Sequence, residues 1–348
     1  MIGTLRLGAL VLLVAAACTA QAHHSFLGRF DRQTLAEIEG RIVDKVWRNP
    51  HAYFTLRVDG ADGRAEEWSL ETSSVSLMAR LGVRSDMLEV GDTIRIAGYP
   101  PLGATREMYA RHILLADGRE LLLDINLEPR WARRTVGPGS PLEVREGDGS
   151  RPDLGIFRVW TLIRDGPRLF PEVVDPTFDV QSYPMTERAR AALAEFDLAT
   201  ENPTDDCLPK GMPTIMEQPY PIAFTALDDG DVLLRIEEYD LERVIHMSER
   251  SGPPPAPSPL GYSVGAWDGD ALVVTTTAVN WPYFSQIGIP QTEDVEIVER
   301  FAPTPDGSRL DYRLTVTDPA VFTEPVVLEN YWIWVPGIEI LSYDCAVR

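Results

Sequence analysis

The sequence predicts a mainly β protein in which two β domains are joined by a linker. Short runs of alternating apolar and polar residues, separated by turn residues, dominate both ends of the 348-residue chain. Such runs are typical of antiparallel strands. The predicted parts are a signal peptide at 1–22, an OB-like five-stranded barrel with one helix at 23–123, a linker with a short helix at 124–206, and an antiparallel β domain at 207–348.

The first segment has the pattern of a secretory signal peptide. Arg6 supplies a positive charge, an apolar run follows at 7–17, and small residues lead to Ala22. We therefore expect cleavage after Ala22, a mature chain that begins at His23, and a periplasmic or secreted location. A lipid anchor on Cys18 is the alternative. No transmembrane segment is expected, because no apolar run is long enough to span a bilayer.

Five strands are predicted in the first β domain, with a helix between the third and the fourth. Ser73 or Ser74 can cap this helix, and Gly82 can end it. Gly40, in the middle of the first strand, is expected to mark a bend or a bulge. Three strands, a helix and two strands is the order of an OB-like barrel. The strands are predicted at 35–47, 51–58, 66–71, 93–99 and 107–115.

The linker loses this periodicity, because Pro, Gly and charged residues are mixed along it. Its one convincing element is a helix at 186–196, with Thr186 as the N-cap. The second β domain alternates again, and Asp268 followed by Gly269 is its strongest hairpin signal. We expect this domain to be an antiparallel barrel or a strongly curved sheet.

Two cysteines remain once the signal peptide is removed, Cys207 and Cys345. In an oxidising compartment a disulfide between them is the simplest expectation, and two separate thiols are the alternative. The disulfide would close the second β domain by tying its beginning to the end of the chain.

The chain is strongly acidic, with 53 Asp and Glu residues against 32 Lys and Arg residues and a formal net charge of −21. A surface of this charge repels phosphate backbones and anionic lipids. Nucleic acid is therefore not an expected partner, and a small molecule or a metal ion is.

Three of the five histidines could form a metal site. A mature chain that begins at His23 offers its free amine and its ring to one ion, and His24 adds a second imidazole. His51 lies in the turn after the first long strand and could join them if the N-terminal arm folds back. Imidazole suits copper and zinc, so these are the expected ions. The alternative is an exposed, unstructured end and a His51 that only stabilises its turn.

Aromatic residues are concentrated in the second β domain and could line a cavity for a small apolar ligand. In the run "YWIWV" alternate residues point to opposite faces, so that Trp332 and Trp334 share one of them. Ordinary core packing of both faces is the alternative. The candidate ligand-binding residues are Tyr262, Trp267, Trp281, Trp332 and Trp334.

An enzyme is the main rival to a binding protein. Acid-base chemistry on an apolar substrate could use Arg243, Glu237 or Asp268 near Tyr262. Simpler explanations exist for these residues, since Asp268 belongs to the predicted hairpin and the others can form cross-strand ion pairs. The sequence contains no persuasive nucleophile and no phosphate-binding glycine loop.

Several motifs resemble an uncharacterised family of exported bacterial proteins. "AHHSF" at 22–26 and the "W.NPH" pattern that ends at His51 match the first half of that family. "GYSVGAWDGDALVVTTT" is similar to a motif of its second half, except that Tyr262 replaces the usual histidine. The resemblance implies the architecture and an exported location, and it implies no particular activity.

The sequence thus predicts an exported binding protein with copper or zinc at its mature N-terminus and a small apolar ligand in its second barrel. An enzyme acting on a small apolar substrate and a structural envelope protein are the two alternatives.

Overall fold

The computed structural model of the protein is mainly β, with 12% of the residues in helices and 41% in strands. It describes residues 29–60, 63–124, 127–137, 151–161, 168–173, 175, 177–198, 201, 207–217, 220–248 and 256–345. The predicted signal peptide and both N-terminal histidines lie outside these ranges.

The first barrel consists of five strands, as the sequence predicts. Their order in the sheet is β3-β2-β1-β4-β5, and a parallel pairing between β3 and β5 closes the barrel. Alternate residues of each strand point inward, and they form one buried core that includes Phe54, Leu56 and Ile96. The strands are β1 (Ala36–Val46), β2 (Tyr53–Asp59), β3 (Ala65–Glu71), β4 (Thr93–Tyr99) and β5 (Glu107–Leu114).

The irregularity predicted at Gly40 of β1 lies a few residues further along the strand. The pairing of β1 with β2 shifts register between Ile42 and Asp44, so the bulge is centred on Val43. Gly40 has a different role. A Cβ atom at this position would lie 2.7 Å from the carbonyl oxygen of Arg57, so glycine is needed because the two backbones approach closely.

The predicted helix of the first barrel is α1 (Val75–Arg80). Ser74 is the N-cap, and its hydroxyl accepts a hydrogen bond from the backbone N–H of Leu77 at 3.1 Å. Gly82 follows the helix with a φ of +77°, a conformation that favours glycine. Met78 and Leu81 bury the apolar side of the helix in the core of the barrel.

Much of the predicted linker packs against the two barrels. Beyond β5, the strands β6 (Glu120–Leu122) and β7 (Thr135–Val136) extend the first sheet, and β8 (Val159–Trp160) begins the second. Trp160 is fully buried in the core of the second barrel. The predicted helix is α2 (Glu187–Glu195), and the hydroxyl of its N-cap residue Thr186 accepts from the backbone N–H of Ala189 at 3.2 Å.

A buried histidine-carboxylate pair holds part of this segment to the first barrel. Nδ1 of His112 lies 2.9 Å from Glu120 Oε1, and Glu120 also accepts backbone N–H bonds from Arg130, Trp131 and Ala132 at 2.8 to 3.1 Å. Burial lowers the pKa of His112, although the charge of Glu120 opposes this effect. His112 is therefore held neutral in the folded state.

Protonation of His112 should make the stability of the protein depend on pH. The folded state binds this proton less readily than the unfolded state. The contribution of neutral His112 to the free energy of unfolding is therefore complete above an ordinary histidine pKa of 6.5 and is lost as the pH falls. We expect the free energy of unfolding to fall more steeply below pH 6.5 in the native protein than in His112→Gln. Urea denaturation at a series of pH values measures both slopes, and equal slopes would contradict the assignment.

The second barrel is a nine-stranded sheet in the order β16-β15-β14-β13-β12-β11-β10-β9-β8. Its ends nearly meet, because Thr161 and Ile333 exchange two backbone hydrogen bonds of 2.9 and 2.8 Å between the first and last strands. The remaining strands are β9 (Ile222–Ala226), β10 (Val232–Ile236), β11 (Leu241–His246), β12 (Tyr262–Asp268), β13 (Ala271–Thr277), β14 (Glu296–Pro303), β15 (Arg309–Thr317) and β16 (Val326–Ile333).

Every pairing in this sheet is antiparallel except one. The strands β11 and β12 run parallel, with Ile245 opposite Ser263, so the predicted antiparallel meander is interrupted there. The predicted hairpin joins β12 to β13 through a two-residue turn, in which Gly269 has a φ of +63°. Glycine adopts this conformation without strain, which explains the strong sequence signal.

The two barrels are joined by the C-terminal segment and by one buried ion pair. The backbone N–H of Asn49 in the first barrel donates to Asp344 O at 3.0 Å. Arg80 of α1 binds the fully buried Glu237, with one contact of 2.8 Å, and Glu237 also accepts from the backbone N–H of Leu341 at 2.8 Å. The predicted disulfide links Cys207 to Cys345, the residue after Asp344, and so anchors the C-terminal segment.

Candidate functional site

His51 lies between the first two strands, and its ring is fixed by the end of β3. Nδ1 is 2.6 Å from the carbonyl oxygen of Thr72. Because a carbonyl oxygen can only accept, Nδ1 donates this bond, and in the neutral ring Nε2 is the nitrogen with the free lone pair. Thr72 is itself held by backbone and hydroxyl hydrogen bonds to Ala52 O, both 3.0 Å. Histidine ligands of metal ions are commonly oriented by a partner on the other ring nitrogen in this way.

A carboxylate and the beginning of the described chain lie beside His51. Oε1 of Glu71 is 3.7 Å from Nδ1 of His51, and the other carboxylate oxygen accepts from Arg29 at 3.1 Å. Arg29 also donates to Glu107 at 2.8 Å. Burial lowers the pKa of Arg29, but the two carboxylates outweigh this effect and raise it above its ordinary value. Arg29 therefore remains a cation, and its ion pair with Glu71 holds this first described residue near His51.

The other two predicted ligands, His23 and His24, lie outside the described residues. Within the residues that are described, no group of three or more His, Cys, Asp or Glu side chains could hold a metal ion. A site at His51 therefore needs ligands from another part of the chain.

The five predicted aromatic ligand-binding residues have separate surroundings. Trp267 is 46% exposed at the β12–β13 hairpin, where its ring meets Phe157. Trp281 is largely buried and donates from Nε1 to Thr214 Oγ1 at 3.0 Å. Tyr262 is half-buried, and its ring centroid is 4.9 Å from that of His246.

The two tryptophans of "YWIWV" also differ from each other. Trp332 is fully buried, with its ring centroid 5.0 Å from that of Tyr312 and 6.3 Å from that of Phe301. Trp334 is partly buried and carries the guanidinium of Arg158 over its ring at 4.8 Å. Of the five residues, Trp332 is the one that lies in the barrel core beside the polar groups described below.

The residues considered for acid-base chemistry lie apart from one another and have different ion-pair partners. Asp268 is exposed and pairs with Arg300 at 2.7 Å, while Glu237 is buried between the two barrels against Arg80. Arg243 lies in the interior of the second barrel. Tyr262 has His246 as an aromatic neighbour, with the two rings tilted by 33°.

A buried polar network occupies the interior of the second barrel. Arg243 donates from Nε to Ser263 Oγ at 2.8 Å and from Nη2 to Thr276 Oγ1 at 2.6 Å. The same Nη2 forms an ion pair with Glu299, whose other oxygen accepts from the hydroxyl of Tyr312 at 2.9 Å. The sequence alone did not assign four residues to this network, because only strand register shows that the successive strands β12 to β15 carry them to one interior: Ser263, Thr276, Glu299 and Tyr312.

A second histidine-carboxylate pair was also missed. Nδ1 of His246 lies 2.6 Å from Oδ2 of Asp231, and the other oxygen of Asp231 accepts from the backbone N–H of Met247 at 3.0 Å. The ring centroid of Tyr262 lies 4.9 Å from that of His246. The sequence signal available for this pair was the resemblance described above, in which Tyr262 stands in place of a histidine.

The fold defines a disulfide-linked protein of two β barrels, and the first barrel matches a sequence-family model. Residues 10–108 match the model of a family of unknown function, DUF6152. The match spans β1 to β4 and His51 and reaches β5, which confirms the resemblance for this part of the chain. No curated protein matches the sequence. None of the helices in the described ranges is long and apolar enough to cross a membrane.

Proposed function

We propose that the protein is an exported metal-binding protein that holds copper or zinc between its mature N-terminus and His51. The observation that carries the proposal is the orientation of His51. Its Nδ1–H is committed to Thr72 O, so that Nε2 is the nitrogen available to a metal.

The position of Arg29 supports a contribution from the N-terminal histidines. Arg29 binds Glu71 beside His51, and His24 and His23 precede Arg29 by five and six residues. Five extended residues reach about 17 Å at most, which is enough for the arm to return to His51. A free amine and three imidazoles form the nitrogen-rich ligand set that copper prefers.

Export is part of the same proposal. The signal-like segment at 1–22 would expose the amine of His23, and the bonded Cys207–Cys345 pair supports an oxidising, periplasmic or secreted location. The alternative, lipidation of Cys18, would leave five residues before His23 and remove its free amine from the site.

The proposed site predicts that copper binding depends on His51 and on an unblocked His23. In a calorimetric titration of protein that begins at His23, we expect His51→Gln to weaken Cu²⁺ binding by more than about 10-fold. Residues that only hydrogen-bond to a metal ligand already contribute a factor of this size, and His51 is proposed as a ligand itself. One extra residue before His23 should weaken binding similarly. The matched control is His246→Gln in the second barrel, which should bind copper as the native protein does.

Equal copper affinity in all four proteins would overturn the proposal. Weak copper binding in the extended protein together with unchanged binding in His51→Gln would also contradict the proposal. The amine of His23 would then bind copper without a ligand from the first barrel.

Three other functions remain predictions. The five aromatic residues, Tyr262, Trp267, Trp281, Trp332 and Trp334, do not share one set of contacts, so they do not by themselves favour an apolar pocket. The acid-base enzyme and the structural envelope protein have no specific observation in their favour.

A further inference from the structure

We propose that the interior of the second barrel binds an uncharged, mainly apolar small molecule through a carbonyl-type oxygen. This site is separate from the metal site at His51. It rests on three buried nitrogen donors, on Arg243, Asn330 and Trp332, that have no hydrogen-bond partner in the described part of the chain.

The three donors are deeply buried. Arg243 is 3% exposed, Asn330 4% and Trp332 0%. The unpaired atoms are Nη1 of Arg243, Nδ2 of Asn330 and Nε1 of Trp332. A buried donor without a partner is energetically costly, so three of them in one barrel indicate an acceptor that the described residues do not supply.

Tyr312 connects the three donors. It lies directly opposite Asn330 in the pairing of β15 with β16, and its ring is 5.0 Å from that of Trp332. Its hydroxyl donates to Glu299, which is the ion-pair partner of Arg243. Burial raises the pKa of Tyr312 well above its ordinary value, so that the hydroxyl keeps its proton and remains a donor.

Each side-chain oxygen of Glu299 and Asn330 already accepts a hydrogen bond, whereas the three nitrogen donors have no acceptor among the described residues. One oxygen of Glu299 accepts from Arg243 and the other from Tyr312. The side-chain oxygen of Asn330 accepts from the backbone N–H of Tyr331 at 2.8 Å. A ligand that completes this network must therefore bring acceptor oxygens.

The charge balance favours a neutral ligand. Arg243 is already neutralised by the fully buried Glu299, so a bound carboxylate would add an uncompensated negative charge to the interior. The neighbouring surface is apolar, with Phe301, Leu310 and Leu314 facing the same core. Ketones, lactones, esters and amides with apolar bodies fit these requirements.

The experiment pairs carbonyl compounds with hydrocarbons of the same skeleton. A panel of small ketones and lactones, such as camphor, and the matched hydrocarbons, such as bornane, is titrated into ¹⁵N-labelled protein. Binding is followed by the indole N–H resonance of Trp332, assigned with Trp332→Phe. We expect the best carbonyl compound to shift this resonance and to bind at least about 10-fold more tightly than its hydrocarbon, the factor for one hydrogen bond of about 1.4 kcal/mol.

Asn330→Leu should weaken binding of the best carbonyl compound about 10-fold, while the exposed matched control Asn280→Leu should leave it unchanged. Asn330→Leu also removes the acceptor of the Tyr331 backbone N–H, so Trp332→Phe, which removes a donor and no acceptor, is the second variant and should weaken binding similarly when the titration is followed by backbone amide resonances. The proposal is overturned if no carbonyl compound in the panel binds, if hydrocarbons bind equally well, or if Asn330→Leu has no effect.

Discussion

Replacing Arg243 with methionine should lower the free energy of unfolding by about 3–5 kcal/mol. The substitution leaves Glu299, which is 0% exposed, as a buried carboxylate that keeps its hydrogen bond from Tyr312 but loses its ion pair. The hydroxyls of Ser263 and Thr276 lose their bonds to the guanidinium at the same time. Urea denaturation monitored by tryptophan fluorescence measures the change.

The double variant Arg243→Met with Glu299→Gln separates the ion pair from packing. Because the second substitution removes the unpaired charge, it should restore a large part of the lost stability. A matched exposed pair is Arg313 with Glu329, and Arg313→Met should cost less than about 1 kcal/mol. If Arg243→Met cost no more than Arg313→Met, the buried network would not hold the barrel as described.

Removing the disulfide with Cys207→Ser and Cys345→Ser should cost about 5 kcal/mol, because the bond closes a loop over a sequence separation of 138. Besides the entropy gained by the unfolded chain, the variant should also lose contacts of the C-terminal segment. The segment that ends at Cys345 carries backbone hydrogen bonds from Leu341 to Glu237 and from Tyr343 to Asp240. Its neighbour Asp344 accepts from Asn49 of the first barrel.

Chemical denaturation of the double serine variant checks this prediction. The control is the native protein denatured with and without a reductant, which should show the same difference. An unchanged denaturation midpoint in the serine variant would contradict the role of the disulfide in joining the C-terminal segment to the barrels.

The regular elements were largely predictable because their signals are local. Alternation located the five strands of the first barrel within a few residues, and Ser74 and Thr186 cap the two helices as expected. The cysteine pair followed from the count of cysteines and the expected compartment. In the linker the signals failed, because two-residue strands such as β7 and β8 are too short to show a period.

The interior sites depend on pairings between distant residues, which the sequence does not reveal. Arg243 and Glu299 are 56 positions apart and meet because of the register of the strands between them. The alternation in "YWIWV" placed Trp332 and Trp334 on one face but left open whether that face was core. For His51, the sequence supplied the candidate but not its carbonyl partner, since Thr72 lies 21 positions away across β2 and β3.

Electron paramagnetic resonance of the Cu²⁺-loaded protein that begins at His23 reports whether Nε2 of His51 and the mature N-terminus bind the same metal ion, as we propose. We expect nitrogen hyperfine structure from several ligands in the native protein, with one nitrogen fewer in His51→Gln and no change in His246→Gln. Identical spectra for the native protein and His51→Gln would contradict this proposal.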